Sequence, residues 1–373
     1  MKPDVTASEI VEGLARLGAQ PTCAAMVHAS LSSFGRVAGG AETVVEALRA
    51  ATGAEGAVIM PSFRGAIRSA HYGLNECVAD CPRALCTSSE RGHTGIVGET
   101  IREQTDAVRS CHPTHSWVGV GREAAYLLEG HCHSPTSCGR ESPFFRLLER
   151  DGLLILLGVG VNSITNIHAV EEARNVPYLS AFDPLRRHAT YTTSGHRLQY
   201  QFPDLLHRAL NECRVLRTTR IGAATCHAMQ ARALASFLWV VTEDDPWCLV
   251  LRPTGDRYDP AEDAAAKVAR MIEVWHDAPD RTAWQCLVAA SQQDFVPIPF
   301  TPCDDPARAC PAYRGELRGY HRCAANDLPP WEKHDDYPTG TPGVATCGTC
   351  NWPTSTLPFT IQAAEHGEGR SSS

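Results

Sequence analysis

The sequence has no apolar run long enough to cross a membrane. Its longest apolar stretch, residues 152–161, is about half of the roughly 20 residues that a transmembrane helix needs. The first residues lack the apolar segment of a signal peptide and instead predict an amphipathic helix, capped by Thr6 with Glu9 three residues later. No membrane partner is therefore expected, and we expect a cytoplasmic chain with reduced thiols.

An excess of positive charge is also missing. The 373 residues include 34 Lys and Arg against 42 Asp and Glu, which gives a formal net charge of −8. Because nucleic-acid-binding domains are normally basic, no nucleic-acid partner is expected, and the acidic balance suits a cationic molecule better. The 43% hydrophobic and 20% charged residues are typical of a globular protein. The length of 373 residues predicts one large domain plus additions, or two domains.

Two common phosphate-binding motifs are incomplete. The Gly158-Val-Gly160 turn is not followed by the third glycine of a dinucleotide fingerprint, so nicotinamide binding is weakly supported. The Ser- and Gly-rich segment 30–40 lacks the Gly-Lys-Ser/Thr ending of a Walker loop. It nevertheless connects a predicted strand to a predicted helix, where backbone amides and the helix dipole favour an anion such as a pyrophosphate. A plain connecting loop is the alternative interpretation.

Apolar strand-like runs alternate with amphipathic helical segments through the first two thirds of the chain. This alternation predicts an α/β fold with a mixed, mostly parallel central sheet flanked by helices. The predicted strands include 24–28, 57–60, 116–120 and 153–157, and the predicted helices include 43–51, 95–104, 143–150, 166–174 and 229–241.

Two later segments have a different character. Residues 189–201 alternate in polarity and predict a hairpin that turns at Ser194-Gly195. After Pro253 come two predicted helices and then an irregular stretch rich in Pro, Gly, Asp and Cys. We therefore predict a core of residues 1–254 and a C-terminal helical and Cys-rich extension of residues 255–373, which ends in a disordered tail.

The best candidate for chemistry follows the predicted strand 153–157. The Gly-rich turn leads into a predicted helix with His168 and, three residues later on the same face, Glu171. Ligands of open α/β sheets gather at the carboxyl ends of strands. A carboxylate beside an imidazole holds its tautomer and stabilises the imidazolium, as a general base requires. The same spacing also occurs in ordinary surface pairs, so both interpretations stay open.

A second histidine pair precedes the strand at 116–120. His112 and His115 are separated by a proline, which predicts an extended or turned backbone. They are candidate metal ligands, and a metal-dependent hydrolase using His112, His115 and His168 is one functional hypothesis. A structural turn with hydrogen-bonded histidines explains the pattern equally well.

Taken together, these stretches resemble the aminoglycoside 3-N-acetyltransferase family of acetyl-CoA-dependent antibiotic acetyltransferases. The resemblance runs in order over residues 5–250. It is carried by residues 26–35, 39–40, 58–63, 95–99, 109–110, 112–116, 141–143, the run ending at Gly160, 165–171 and 202–229.

The resemblance implies an activity and a site. It implies an antibiotic-acetyltransferase fold distinct from the common small acetyltransferase fold, and direct acetyl transfer from acetyl-CoA to an amine of an aminoglycoside or related aminosugar. His168 falls on the family's catalytic histidine and Glu171 on its acidic partner, with Thr165 as a candidate oxyanion donor. The acetyl-CoA site falls on His28, Ser30, Leu31, Ser32, Ser33, Phe34, Gly35, Gly39 and Gly40.

The sequence departs from the family at three places. Asn162 stands where the family often has Asp, and the segment 66–91 and the extension 255–373 are unlike the compact members. One alternative is therefore the same chemistry on an intermediate of secondary metabolism. Another is a zinc-binding interaction protein on a degenerate scaffold, although the presence of His168 and Glu171 argues against it. The oligomeric state is not predicted.

Ten of the 16 cysteines form two groups. The first group lies in apolar or helical runs and is predicted to pack in the core: Cys23, Cys213, Cys226, Cys248 and Cys286. The second lies in the irregular C-terminal stretch and includes a Cys-x-x-Cys pair, which is a common half-site for structural zinc. The candidate zinc ligands are Cys303, Cys310, Cys347 and Cys350.

Overall fold

A computed structural model shows how most of the chain folds up to residue 291. It describes residues 4–63, 85–86, 91–112, 115–131, 134, 138–174, 176, 205–251, 259–277 and 281–291. It also gives the backbone of short strands at 192–193, 196–197, 199–200, 313–317 and 320–323.

A seven-stranded sheet forms the centre of the described chain, in the order β3-β4-β2-β1-β5-β10-β9. Its strands are β1 Ala24–Ala29, β2 Ala57–Pro61, β3 Val108–Arg109, β4 Trp117–Gly121, β5 Leu153–Leu157, β9 Arg217–Ile221 and β10 Ala224–Gln230. The smaller strands are β6 Thr192–Thr193, β7 His196–Arg197, β8 Gln199–Tyr200, β11 Val250–Leu251, β12 Tyr313–Leu317 and β13 Tyr320–Cys323.

Helices cover both faces of this sheet. They are α1 Ala7–Leu17, α2 Gly40–Thr52, α3 Ile96–Arg102, α4 Ala124–Leu128, α5 Pro143–Glu149, α6 Ile167–Arg174, α7 Leu205–Glu212, α8 Ala231–Asp244, α9 Pro260–Asp277 and α10 Trp284–Ala290. The predicted capping box of α1 is confirmed, because the Thr6 hydroxyl accepts from the Glu9 amide and the Glu9 carboxylate accepts from the Thr6 amide.

The sheet is mixed, as predicted, but the prediction that it is mostly parallel is wrong, because in the described sheet only the central pairings of β1 are parallel. β1 pairs in parallel with both β2 and β5, whereas β4, β3, β10 and β9 are added in antiparallel pairings. β5 is buried at all of its positions because it lies inside the sheet and is covered on both faces. The carboxyl ends of β1 and β5 therefore meet at one edge of the sheet, where ligands of α/β proteins bind.

Alternate residues of the central strands pack into two separate core clusters. Val27 and Ile155 pack in the cluster that includes residues of α1, α2 and α3. Met26, Leu154 and Leu156 pack in the cluster that includes residues of α5, α6 and α8. This alternation follows from the two-residue period of a strand, and it assigns each side chain at the strand ends to one face.

The antiparallel β9–β10 hairpin is absent from the predicted elements. The helix predicted from residue 229 begins at Ala231, because Ala224–Gln230 is a strand. β9, with the sequence Arg-Thr-Thr-Arg-Ile, is exposed along most of its length and therefore lacks the apolar alternation that marks a half-buried strand. β6 and β7 pair in antiparallel fashion on either side of the predicted turn, whose residues 194–195 lie outside the described residues.

Residues beyond the predicted boundary at 254 also contribute to the core. Val268, Met271 and Trp275 of α9 and Leu287 of α10 belong to the same buried cluster as the central sheet. The division into residues 1–254 and 255–373 remains a prediction. Within the described part of the chain, no helix combines the length and the apolar composition needed to span a bilayer.

Candidate active site

His168 and Glu171 form a buried pair at the start of α6. β5 ends at Leu157, a 3-10 turn at Val161–Ser163 follows, and α6 then begins at Ile167. The His168 Nδ1 atom lies 2.7 Å from the Glu171 Oε2 atom, and the Glu171 side chain is completely buried. A buried carboxylate at this distance favours the tautomer with the proton on Nδ1, which leaves the lone pair on Nε2 for proton abstraction.

The residues just before α6 are fixed by contacts with the sheet and with a neighbouring thiol. The Asn166 amide nitrogen lies 3.0 Å from the Met26 sulfur of β1. The Thr165 carbonyl accepts a hydrogen bond from the Cys138 thiol at 3.6 Å, and the His168 amide donates to the same Thr165 carbonyl at 3.2 Å. The half-buried Thr165 thus lies within the turn that delivers His168.

A cleft of about 570 Å³ opens at the carboxyl end of β1. It is lined by Ala29, Ser30, Leu31, Ser32, Gly35, Val37, Gly40, Gly95, Ile96 and Val97. The first turn of α2 has no side-chain cap, and Gly40 at its start lines the cleft. The Gly40 amide donates to the Val37 carbonyl at 3.1 Å, but the dipole of a helix of this length still favours a negatively charged group at its start.

Hydrogen bonds tie the cleft loop to the end of β5. The Ser30 amide donates to the Leu157 carbonyl at 2.9 Å, and the Ser33 hydroxyl lies 2.8 Å from the Gly158 carbonyl. The Ser33 hydroxyl also lies 2.9 Å from the Ser30 hydroxyl. Because the same strand end leads to α6, the cleft and His168 are anchored at one point of the fold.

The structure places the predicted cofactor residues in different surroundings. Ser30, Leu31, Ser32, Gly35 and Gly40 line the cleft. Three others hold the loop and helix in place: Ser33 bonds the loop to the end of β5, Gly39 is the N-terminal cap of α2, and Phe34 is buried in the core. His28 is buried on the sheet face that α6 covers.

Gly95, Ile96 and Val97 also line the cleft, although the sequence analysis did not assign them to the site. Their only signal in the sequence was membership of the 95–99 motif. Ile96 is half exposed, which is unusual for a large apolar side chain, and it gives the cleft an apolar wall.

His112 and His115 belong to a buried aromatic cluster. The His112 ring stacks on the His131 ring with centroids 4.4 Å apart, and the His115 amide donates to His112 Nδ1 at 2.9 Å. The Ser110 hydroxyl lies 3.1 Å from His131 Nδ1. Among the described residues, no group of three or more His, Cys, Asp or Glu is arranged to hold a metal ion, so the metal hydrolase of His112, His115 and His168 gains no support.

The cysteines predicted to pack in the core mostly do so. Cys213, Cys226 and Cys248 are buried, and burial raises the pKa of the Cys213 and Cys226 thiols to about 11, so these thiols are unreactive. The packing role predicted for Cys286 is wrong, because its side chain is exposed on α10. Cys303, Cys310, Cys347 and Cys350 lie outside the described residues, and their zinc site stays a prediction.

Two further histidines occupy the same row of the sheet. His28 of β1 and His227 of β10 both pair with Leu156 of β5. Burial lowers the pKa of His28 to about 4. Burial, assisted by the charge of His207, lowers the pKa of His227 to about 4 as well. Both imidazoles are therefore neutral at physiological pH.

Comparisons with known proteins match this chain to a single family. The profile of the family described as aminoglycoside 3-N-acetyltransferase matches residues 26–242. The chain is 32% identical over 214 residues to aminoglycoside N(3)-acetyltransferase VIII of Streptomyces fradiae, an alignment that covers 54% of this chain and 71% of the relative. It is 35% identical over 178 residues to aminoglycoside N(3)-acetyltransferase III of a Salmonella species, covering 46% of this chain and 62% of the relative.

Solved structures show the same fold. Aminoglycoside acetyltransferase AAC(3)-IIb is 26% identical with a TM-score of 0.51, covering 65% of this chain and 98% of that one. A variant of AAC(3)-IVa, solved in complex with apramycin, is 25% identical with a TM-score of 0.50, covering 66% of this chain and 95% of that one.

The fold and the histidine–carboxylate pair place the chain among acyltransferase enzymes of α/β architecture. The chain belongs to the aminoglycoside 3-N-acetyltransferase family.

Gly158 is expected to be essential for the close, hydrogen-bonded contact between the cleft loop and the end of β5. It has φ +68, and a Cβ atom there would lie 2.5 Å from the Ser33 Cβ. We expect Gly158→Ala to lower the free energy of unfolding by about 1–3 kcal/mol through strain, and by more because of the clash. Urea denaturation measures this loss.

Gly40→Ala is the matched control for this substitution. Gly40 has a similar φ of +66, but nothing lies within 4 Å of the Cβ position. Gly40→Ala therefore introduces backbone strain without a steric clash. It should lower the free energy of unfolding by less than Gly158→Ala does. Equal losses in the two variants would contradict the tight approach of Ser33.

The buried histidines predict a loss of stability in acid. His28 takes up a proton near pH 4 in the folded state but near pH 6.5 when unfolded, so stability falls as the pH drops from 6.5 towards 4. We expect the loss between pH 7 and pH 4 to be smaller by about 3 kcal/mol in His28→Leu than in the wild-type chain. Urea unfolding across this pH range measures the difference, and identical pH dependences would refute it.

Proposed function

We propose that the chain is an N-acetyltransferase that moves an acetyl group from acetyl-CoA to an amine of an aminoglycoside or related aminosugar. The observation that carries this proposal is the buried 2.7 Å contact between His168 Nδ1 and Glu171 Oε2, on the helix that follows β5. The names of the relatives support both the acetyl group and the class of acceptor.

His168 acts as the general base in this mechanism. Glu171 holds the Nδ1 proton, so Nε2 accepts a proton from the attacking amine and the pair stabilises the imidazolium that results. The amine nitrogen bonds to the thioester carbon, and the carbon–sulfur bond then breaks. The proton passes from the imidazolium to the departing CoA thiolate, which regenerates the neutral base without an acyl-enzyme.

The cleft is the proposed binding site for acetyl-CoA. The serine side chains of Ser30 and Ser32 in the cleft and the start of α2 suit the phosphates of CoA, whereas Ile96 suits its apolar portion. Loop amides and Thr165 are the proposed donors to the oxyanion that forms on the thioester. CoA supplies the activated acetyl group, and the chain supplies its binding and the base.

The acceptor is a cationic small molecule in this proposal. The net charge of −8 favours the approach of a polyamine, and one structural neighbour was solved with apramycin. Asn162 is exposed in the 3-10 turn just before α6, where the family often has a carboxylate. An amine intermediate of secondary metabolism is therefore the second candidate acceptor.

His168→Ala is expected to abolish acetyl transfer while CoA still binds. Glu171→Gln keeps the shape of the pair but removes the charge that stabilises the imidazolium, and we expect kcat to fall by about 10²–10⁴. Acetyl-CoA turnover and CoA titration measure the two effects separately.

His276→Ala is the matched control, because His276 is an exposed histidine of α9 that lies in no described site. It should turn over like the wild-type chain. Undiminished turnover in His168→Ala would overturn the assignment of the base.

Acetyl-CoA consumption over a panel of amines identifies the acceptor. We expect turnover with at least one aminoglycoside, because the relatives carry that activity in their names. Inactivity on every aminoglycoside, together with turnover of another small amine, would instead favour the secondary-metabolite acceptor.

A further inference from the structure

His28 has a buried ring nitrogen that no described residue satisfies. Its imidazole is only 7% exposed and packs edge-on against Trp117, with ring centroids 5.7 Å apart. The Nε2 atom is buried and has no hydrogen-bond partner in the part of the chain that the structure describes. Leaving such an atom unsatisfied costs about 1–3 kcal/mol, so a buried histidine at this position is unfavourable unless a ligand completes it.

His28 pairs with Leu156, whose side chain packs in the core cluster that also contains residues of α6, the helix of the proposed base. His28 is followed directly by Ala29 and Ser30, which line the cleft. On the same face of β1, two residues earlier, Met26 contacts Asn166, which lies two residues before His168. Since a strand rises about 3.3 Å per residue, His28 is only about 7 Å along β1 from the residue that Asn166 touches.

A second unsatisfied buried atom belongs to Asn166, which contacts β1. The Asn166 side chain is 2% exposed, and its Oδ1 atom has no hydrogen-bond partner among the described residues, although its amide nitrogen contacts Met26. A buried imidazole that can donate and a buried amide oxygen that can accept are therefore linked to the same strand, since Met26 is two residues before His28. A ligand with both an acceptor and a donor would satisfy both, as a thioester attacked by an amine does.

The protonation state of His28 suits a carbonyl oxygen. Burial keeps the imidazole neutral, since it lowers its pKa to about 4. A neutral imidazole keeps one N–H, and enzymes use such a group to polarise a carbonyl. It is not a base at this pKa, so its role differs from that of His168.

We propose that His28 Nε2–H donates a hydrogen bond to the acetyl carbonyl oxygen of acetyl-CoA and stabilises the oxyanion formed in acetyl transfer. This rests on the proposed function and adds a second catalytic histidine to it. As the amine nitrogen bonds to the carbon and the carbon–sulfur bond breaks, His28 keeps its proton, and only His168 relays the proton to the CoA thiolate.

The test compares His28→Leu with His28→Gln. Removing one oxyanion donor typically lowers kcat by about 10²–10³, and we expect that loss in His28→Leu. The Kd of CoA, which has no acetyl carbonyl, should change by less than about threefold. His28→Gln retains an N–H donor and should recover about tenfold of the lost kcat. Unchanged kcat in His28→Leu, or an equal loss of CoA affinity, would overturn the proposal.

Two further measurements separate this role from a structural one. The pH dependence of kcat/KM should keep its shape in His28→Gln, because His28 does not titrate in the working range, whereas a shifted profile would contradict a neutral donor. The ratio of the acetyl-CoA to the CoA affinity should fall in His28→Leu, and this binding test needs no acceptor. If the wild-type chain acetylates no amine, the proposed function fails, and an unchanged affinity ratio would separately reject the role of His28.

Discussion

The parallel pairing of β1 with β5 is the constraint on which the site depends. Its register sets His28 beside Leu156 and Ala29 beside Leu157, so both strands end at the same edge of the sheet. β1 then leads into the cleft loop, and β5 leads through a 3-10 turn into the helix of His168. Hydrogen bonds from Ser30 and Ser33 to the end of β5 fix these two segments to each other. The central sheet therefore positions both the cleft loop and the His168–Glu171 pair.

The site also illustrates how burial assigns different roles to chemically identical side chains. His168 has a buried carboxylate as a partner and suits proton transfer. His28 is buried against Trp117 without such a partner, remains neutral and suits hydrogen-bond donation. His112 and His131 instead stack on each other in the aromatic cluster. The same residue type is thus proposed as a base and as a donor, and it also packs in the aromatic cluster.

Much of the fold and the central pair of the site follow from sequence patterns, because these depend on local periodicity. Strand 153–157 has the predicted bounds, and the spacing of His168 and Glu171 does place them together. The exposed Arg-Thr-Thr-Arg strand β9 carries no such pattern and is therefore missed. The burial of Phe34, the cleft wall at Ile96 and the unsatisfied nitrogen of His28 arise from contacts between distant segments. No local rule contains that information.

The central claim is that the cleft delivers a thioester to the paired histidine at the ends of β1 and β5. A crystal structure of the full chain with bound CoA tests it most directly. The account predicts that CoA occupies the cleft lined by Ser30, Gly35 and Ile96, with its sulfur directed to His168. CoA bound at another surface, or in the cleft with its sulfur directed away from His168, would contradict the account.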